Sequence, residues 1–182
     1  NSYAKINLYL AVLNKRRDNY HNIKTLFERI SLCDRITLSA RKDDLIKIFC
    51  SHPGVPKDNS NLCFKSAELL RKKFNLENGL DIRIIKRIPV AAGLGGGSSN
   101  AASVLSGLNR LWKLNLSRGK LALLAKKIGC DVPFFIYNCP FAQGQARGDR
   151  IKPLRSLNPV RLWHILVVPK IKVLTPVIYK MW

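Results

Sequence analysis

Ile88-Pro89-Val90-Ala91-Ala92-Gly93-Leu94-Gly95-Gly96-Gly97-Ser98-Ser99-Asn100-Ala101 is the stretch on which the fold turns. It follows an alternating apolar segment, 80–85, that reads as a strand. It precedes a run with helical periodicity, about 98–112. Glycines let the backbone take positive φ and approach an anion closely. A helix behind them points free N–H groups and its positive dipole end at the loop. Ser98 and Ser99 add hydroxyl donors, so the loop suits a polyphosphate. No Gly-Lys-Ser/Thr follows at P-loop spacing, and G-x-G-x-x-G does not fit. The plainer alternative is a turn capped by Ser98.

Working outward, residues 3–13 alternate as a strand and 15–19 read as a turn. Further strand segments are expected over 24–32, 34–40, 45–50 and 162–168. Residues 51–60 are a loop. Residues 61–74 carry apolar positions at helical spacing, and 117–128 read as a helix that begins at a Ser117 cap and ends at Gly129. The pattern is α+β, with strands first and then helices packed on a sheet.

The chain has 182 residues, with 32 Lys and Arg against 11 Asp and Glu, a net charge of +21. Hydrophobic residues make up 47%, which excludes a wholly disordered chain. The charge points to a polyanionic partner. The five cysteines are odd in number, and none stands in a C-x-x-C pair, which argues against a disulfide framework or zinc ribbon and fits a reducing, cytoplasmic setting. Three histidines make a histidine-based metal site equally unpromising. No apolar run reaches the roughly 18–20 residues of a membrane span. The chain has neither an initiator Met nor a signal peptide, so it reads as starting inside a longer frame.

Three further signals carry chemistry. Asp131, in Gly129-Cys130-Asp131-Val132-Pro133-Phe134-Phe135, sits among apolar residues. It is either a general base held charged by a nearby cation or a turn stabiliser before Pro133. Lys5 and Asn7 share one face of the first strand by period-two geometry. Lys5 is either a site cation or a sheet-edge charge facing water. In Asp18-Asn19-Tyr20-His21, an aromatic beside a histidine could stack on and hydrogen-bond a nucleobase, or Tyr20 could pack the loop onto the core.

In this order and spacing, AKINLYL, YH followed by TLF, IPVAAGLGGGSSNAA and GCDVPFF resemble the GHMP kinase superfamily over residues 2–180. The YH pair and Thr175-Pro176-Val177-Ile178-Tyr179 are similar to its branch acting on a cytidyl-linked alcohol, 4-diphosphocytidyl-2-C-methyl-D-erythritol, in non-mevalonate isoprenoid synthesis. The resemblance implies a GHMP kinase, ribosomal protein S5 domain 2-like, N-terminal domain over 1–155 and the start of a second α+β domain over 156–182. It implies Asp131 as base toward the 2-hydroxyl, Lys5 beside it and Asn7 supporting both. It implies that Pro89, Val90, Ala91, Ala92, Gly93, Leu94, Gly95, Gly96, Gly97, Ser98 and Ser99 wrap the ATP phosphates, with Asn61 and Lys86 near the adenosine. Tyr20 and Tyr179 would sandwich the cytosine, His21 would read its edge, and Thr175 would lie on the substrate side. Mg²⁺ is expected with ATP, through residues the sequence does not single out.

Tyr3 stands where that family usually has Pro, Asn19 where it has Gly, and Ala146 where the first glycine of a Gly-x-Gly pair is expected. Asn tolerates positive φ better than most residues. The family also continues beyond a position such as Trp182, with a third glycine-rich motif. Two other readings compete: a basic nucleic-acid-binding module, and a GHMP kinase for another small alcohol. Against the first, the cations are scattered pairs and triplets without interleaved aromatics, so nucleic acid is not the expected partner.

Overall fold

The computed structural model describes residues 1–157 and 159–169. Six strands form one sheet: β1 (Ser2–Lys15), β2 (His21–Arg41), β3 (Ile46–Cys50), β4 (Gly79–Ile85), β5 (Phe141–Gln145) and β6 (Arg150–Pro153). The order is β3-β4-β2-β5-β6, with β1 also paired to β2. All pairings are antiparallel except β3 with β4. The two segments expected at 24–32 and 34–40 are one continuous strand. Its first half carries β1 and β5, and its second half carries β4.

Four helices join them: α1 (Leu62–Phe74), α2 (Gly96–Leu111), α3 (Arg118–Ala125) and α4 (Val132–Tyr137). Since α1 falls between β3 and β4, strands and helices interleave rather than following each other in blocks. Asn61 caps α1 by accepting from the Cys63 N–H at 2.8 Å. Arg71, Lys72 and Lys73 occupy its last turn, where cations meet the negative dipole end. The main core lies between the helices and one face of the β3-β4-β2 sheet, with Leu70, Leu80, Ile82, Leu105 and Leu108 fully buried. Helix α2 buries Ala101, Ala102, Val104, Leu105 and Leu108 there, which fixes the direction of its N-terminus.

Three further expectations need correction, and one helix was not foreseen. Helix α2 starts at Gly96, with Gly95 as its cap residue at φ 68°, so Ser98 does not cap it. Helix α3 ends at Ala125, and turns lead on to Gly129. Residues 132–137 form α4, too short for helical periodicity to declare itself; Pro133 suits its first turn, where an N–H has no helical partner. Residues 162–168 form no strand, and among the described residues no strand takes up their backbone groups. Their alternation survives only as exposure: Trp163, Ile165 and Val167 are 98%, 95% and 85% exposed, while His164 Nε2 lies 2.8 Å from the buried Glu28 Oε2.

Candidate active site

The glycine-rich loop borders a cavity of about 330 Å³, also lined by Val55, Asn61, Cys63, Lys86 and Asn100. Residues Pro89 to Ser98 all line it. Ala91, Gly93 and Gly95 take φ of 60°, 72° and 68°, which folds the backbone back over α2. No side chain caps α2. The N–H groups of Gly96, Gly97 and Ser98 precede the first helical bond, from Ser99 N–H to Gly95 O at 2.8 Å. They stand at the positive end of a 16-residue helix.

Ser99 departs from its expected role. It is 2% exposed and is not part of the cavity wall. Its hydroxyl lies 2.8 Å from that of Ser2, which is 2.7 Å from Asn100 Oδ1. The amide oxygen can only accept, so Ser2 donates to Asn100 and Ser99 donates to Ser2. The Ser99 hydroxyl thus ties the helix to β1, while Ser98 stands in the cavity wall.

Neighbouring side chains crowd two of the loop's glycines. A Cβ on Gly95 would stand 3.0 Å from Lys5 Cγ and from Phe135 Cζ; one on Gly96 would stand 3.0 Å from Ile88 Cγ2 and 3.1 Å from Lys86 Nζ. Lys5 is 6% exposed, so it is no sheet-edge charge. Its backbone N–H donates to Leu94 O at 3.0 Å, joining β1 to the loop. Its ammonium lies 3.6 Å from Asp131 Oδ2, donates to Asn7 Oδ1 at 2.6 Å, and sits 5.4 Å from the Phe27 ring centroid. Asn7 in turn donates to Thr25 Oγ1 at 2.7 Å, and Thr25 donates to Tyr9 O at 2.7 Å. This chain orients the amide and leaves the ammonium directed at Asp131. Asp131 precedes α4, but its carboxylate makes no cap hydrogen bond, and its side chain is 33% exposed. A carboxylate held beside a cation, with solvent access and next to an anion-binding loop, can accept a proton from a hydroxyl there.

Asn61 and Lys86 share the cavity wall, each already bonded within the protein. Besides capping α1, Asn61 donates to Pro56 O at 2.6 Å. Lys86 pairs with Asp34, whose other oxygen accepts from the Arg87 and Ile88 N–H groups at 2.7 and 2.9 Å.

Tyr20 is 50% exposed, and the Arg147 guanidinium lies 5.1 Å from its ring centroid, so it is not a core tyrosine. His21 opens β2, in register with Lys15. Arg147 pairs with Asp149 at 3.2 Å, and a Cβ on Gly148 would stand 3.9 Å from Asp131 Oδ1. The turn carrying Ala146 and Gly148 thus joins the Tyr20 corner to Asp131. Ala146 takes φ 59° and Gly148 φ 91°, so the departure from glycine at 146 falls on a left-handed residue; Asn19 is left-handed too, at φ 62°. Thr175 and Tyr179 lie outside the described residues. Sequence reasoning missed Ser2, Thr25, Asp34 and Arg147. Asp34 alone left a trace, as a carboxylate interrupting an apolar strand.

Among the described residues, no group of three His, Cys, Asp or Glu could hold a metal, and no helix is long and apolar enough to cross a membrane. All five cysteines are free thiols.

Residues 61–139 match the model of the GHMP kinases N terminal domain. The chain is 47% identical over 176 residues to a 4-diphosphocytidyl-2-C-methyl-D-erythritol kinase of Shouchella clausii, covering 97% of this chain and 58% of that protein. It is 46% identical over 177 residues to its namesake from a Geobacillus species, covering 97% and 60%. It therefore spans about three fifths of the curated relatives' length. The fold resembles a crystal structure of 4-(cytidine 5'-diphospho)-2C-methyl-D-erythritol kinase, at TM-score 0.71 and 37% identity over 84% of this chain and 53% of that one. It also resembles a mevalonate kinase, at TM-score 0.63 and 14% identity over 85% and 55%, a likeness of fold alone.

Proposed function

We propose that this chain is part of a GHMP kinase and carries the phosphoryl-transfer site of a kinase acting on 4-diphosphocytidyl-2-C-methyl-D-erythritol in the non-mevalonate isoprenoid route, a reading its similarity to that family and those relatives supports. The observation that carries this reading is the Lys5–Asp131 pair, 3.6 Å apart, with Lys5 packed against Gly95 of the anion-binding loop. The relatives' names supply the substrate.

In this reading the 2-hydroxyl oxygen bonds to the γ-phosphorus as the bond to the β,γ-bridging oxygen breaks. The hydroxyl proton passes to the Asp131 carboxylate, and ADP leaves. The Gly96, Gly97 and Ser98 N–H groups hold phosphate oxygens in place before reaction, so little reorganisation is needed as charge shifts. Lys5 holds its ammonium beside the Asp131 carboxylate and orients the hydroxyl. The exposed Tyr20, with Arg147 over it, supports the cytidyl substrate over an unlinked alcohol, since it offers a stacking face. Tyr179, Thr175 and His21 complete that side in the proposal.

Mg²⁺ fits as an ion that enters with ATP. The described residues offer no three-ligand cage, and this ion ordinarily binds through phosphates with one or two protein oxygens. Among the described residues, Ser98 in the cavity wall offers a hydroxyl oxygen that would help hold it; bound, it would neutralise charge across the β- and γ-phosphates. The division at 155/156 and a cytoplasmic location belong to the same proposal.

The test is phosphate transfer from ATP to the CDP-linked alcohol, followed by phosphorus NMR, in the wild type and Asp131→Asn. The variant is expected to lose turnover by about 10²–10⁴-fold and to keep ATP binding. Near-full activity in the variant would remove Asp131 from the mechanism. Equal binding of linked and unlinked alcohols, unaffected by Tyr20→Ala, would favour a kinase for another alcohol. RNA binding that is tight, steeply salt-dependent and indifferent to ATP would favour the nucleic-acid module.

A further inference from the structure

Asp34 is 0% exposed, as buried as any described residue, although its side chain is a carboxyl. It sits on β2 opposite Ser2 of β1. One carboxylate oxygen is saturated by the Arg87 and Ile88 N–H groups, at 2.7 and 2.9 Å, just where the chain leaves β4 for the glycine loop. The other holds the Lys86 ammonium. Lys86 in turn lies against Gly96, the first residue of α2, and forms part of the cavity wall. An ammonium at the positive end of a helix is poorly placed alone, and burial makes it worse. Without Asp34, the Lys86 side chain has reason to swing out to water.

We propose that Asp34 is a positioning residue for the nucleotide: it fixes Lys86 at the mouth of α2, so that the ammonium protons not given to Asp34 are available to an acceptor in the cavity. It acts through Lys86 and through the loop entry, and touches no substrate itself. The inference deepens the kinase reading and rests on it. It also separates the two sides of the site. Asp34 and Lys86 serve the cavity, whereas Lys5, Asp131 and Tyr20 serve the acceptor.

The experiment compares wild type, Asp34→Asn, Lys86→Met and the double variant. Asparagine keeps an oxygen for the two N–H groups and removes the charge. The dissociation constants of adenylyl-imidodiphosphate with Mg²⁺ and of CDP are measured by calorimetry, alongside Tm. Each single variant is expected to bind the ATP analogue about tenfold more weakly. The double variant is expected to bind it no more weakly than Lys86→Met, with CDP affinity unchanged, because one device has been removed in two ways. Wild-type affinity in Asp34→Asn overturns the proposal, as does a double variant in which the two losses multiply. Parallel losses for analogue and CDP with a lowered Tm also overturn it, since they mark a purely structural role. Should Asp34→Asn fold poorly, Asp34→Ser, smaller and still able to accept, gives the same comparison. A wild type that binds no ATP analogue overturns the kinase reading as well; binding that is merely indifferent to Asp34 overturns this inference alone.

Discussion

Lys5 makes contact at both of its ends: its backbone N–H donates to Leu94 O at 3.0 Å, and its ammonium stands 3.6 Å from Asp131 Oδ2. One residue therefore sets the distance between the anion-binding loop and the candidate base. Lys5→Met keeps the apolar stem packed against Gly95 and removes the charge. Turnover is expected to fall by about 10²-fold, the order seen when one preorganised electrostatic contact is lost. Affinity for the ATP analogue should change little. A variant whose kcat stays within twofold of wild type would show that Lys5 has no part in the chemistry.

Gly95 and Gly93 make a matched pair. Both have positive φ, 68° and 72°. A Cβ at Gly95 meets Lys5 and Phe135 at 3.0 Å, whereas one at Gly93 meets nothing within 4 Å. Each alanine variant should lose about 1–2 kcal/mol of stability from left-handed strain. Only Gly95→Ala should also displace Lys5 and lose turnover beyond what its lower Tm explains. Equal activities in the two variants would contradict this.

Ala146 occupies the left-handed region at φ 59° while its carbonyl accepts from the Ile23 N–H at 2.7 Å. Ala146→Gly relieves the strain at some entropic cost to folding, for a net gain of up to about 1 kcal/mol. Urea unfolding should show a higher midpoint with an unchanged slope. A lower midpoint would mean that residue 146 is not left-handed in solution.

At low pH, Asp43 is the group to follow. Its pairing with the Arg41 guanidinium at 2.5 Å lowers its pKa from 3.8 to about 2, and Arg41 also holds Asp81 at 2.7 Å. A depressed carboxylate pKa stabilises the fold above the unfolded value and loses that contribution as pH falls through the folded one. The Tm difference between wild type and Asp43→Asn should therefore narrow as pH falls from 3.8 to about 2. A difference independent of pH over that window would place the effect elsewhere.

Much of the site was legible in the chain. Period-two geometry put Lys5 and Asn7 on one face, and they are hydrogen-bonded. The glycine loop opens a helix, although two residues earlier than the serines suggested. What misled was local chemistry with tertiary competition. Ser99 looked like a donor to a ligand, yet it faces Ser2 across the β1–α2 contact. The alternation at 162–168 looked like a strand, yet alternation sets only which side chains share a face. A strand also needs a neighbour for its hydrogen bonds. Helix α4 and strands β5 and β6 are four to six residues long, below the length at which a period can be read.

What the chain determined unaided was the kind of chemistry. Glycines at the start of a helix, a lysine in an apolar strand and an aspartate just ahead of Pro133 are local statements, legible from neighbouring residues alone. What only the tertiary structure decided was which charges meet. Asp131 faces Lys5 and Asp34 faces Lys86 because β1, β2, the start of α2 and the residue ahead of α4 come together, which brings each carboxylate to a buried ammonium. Desolvation makes an unpaired buried charge costly, so each lysine is fixed where its partner is. Those partners come from distant parts of the chain, beyond the reach of any local pattern.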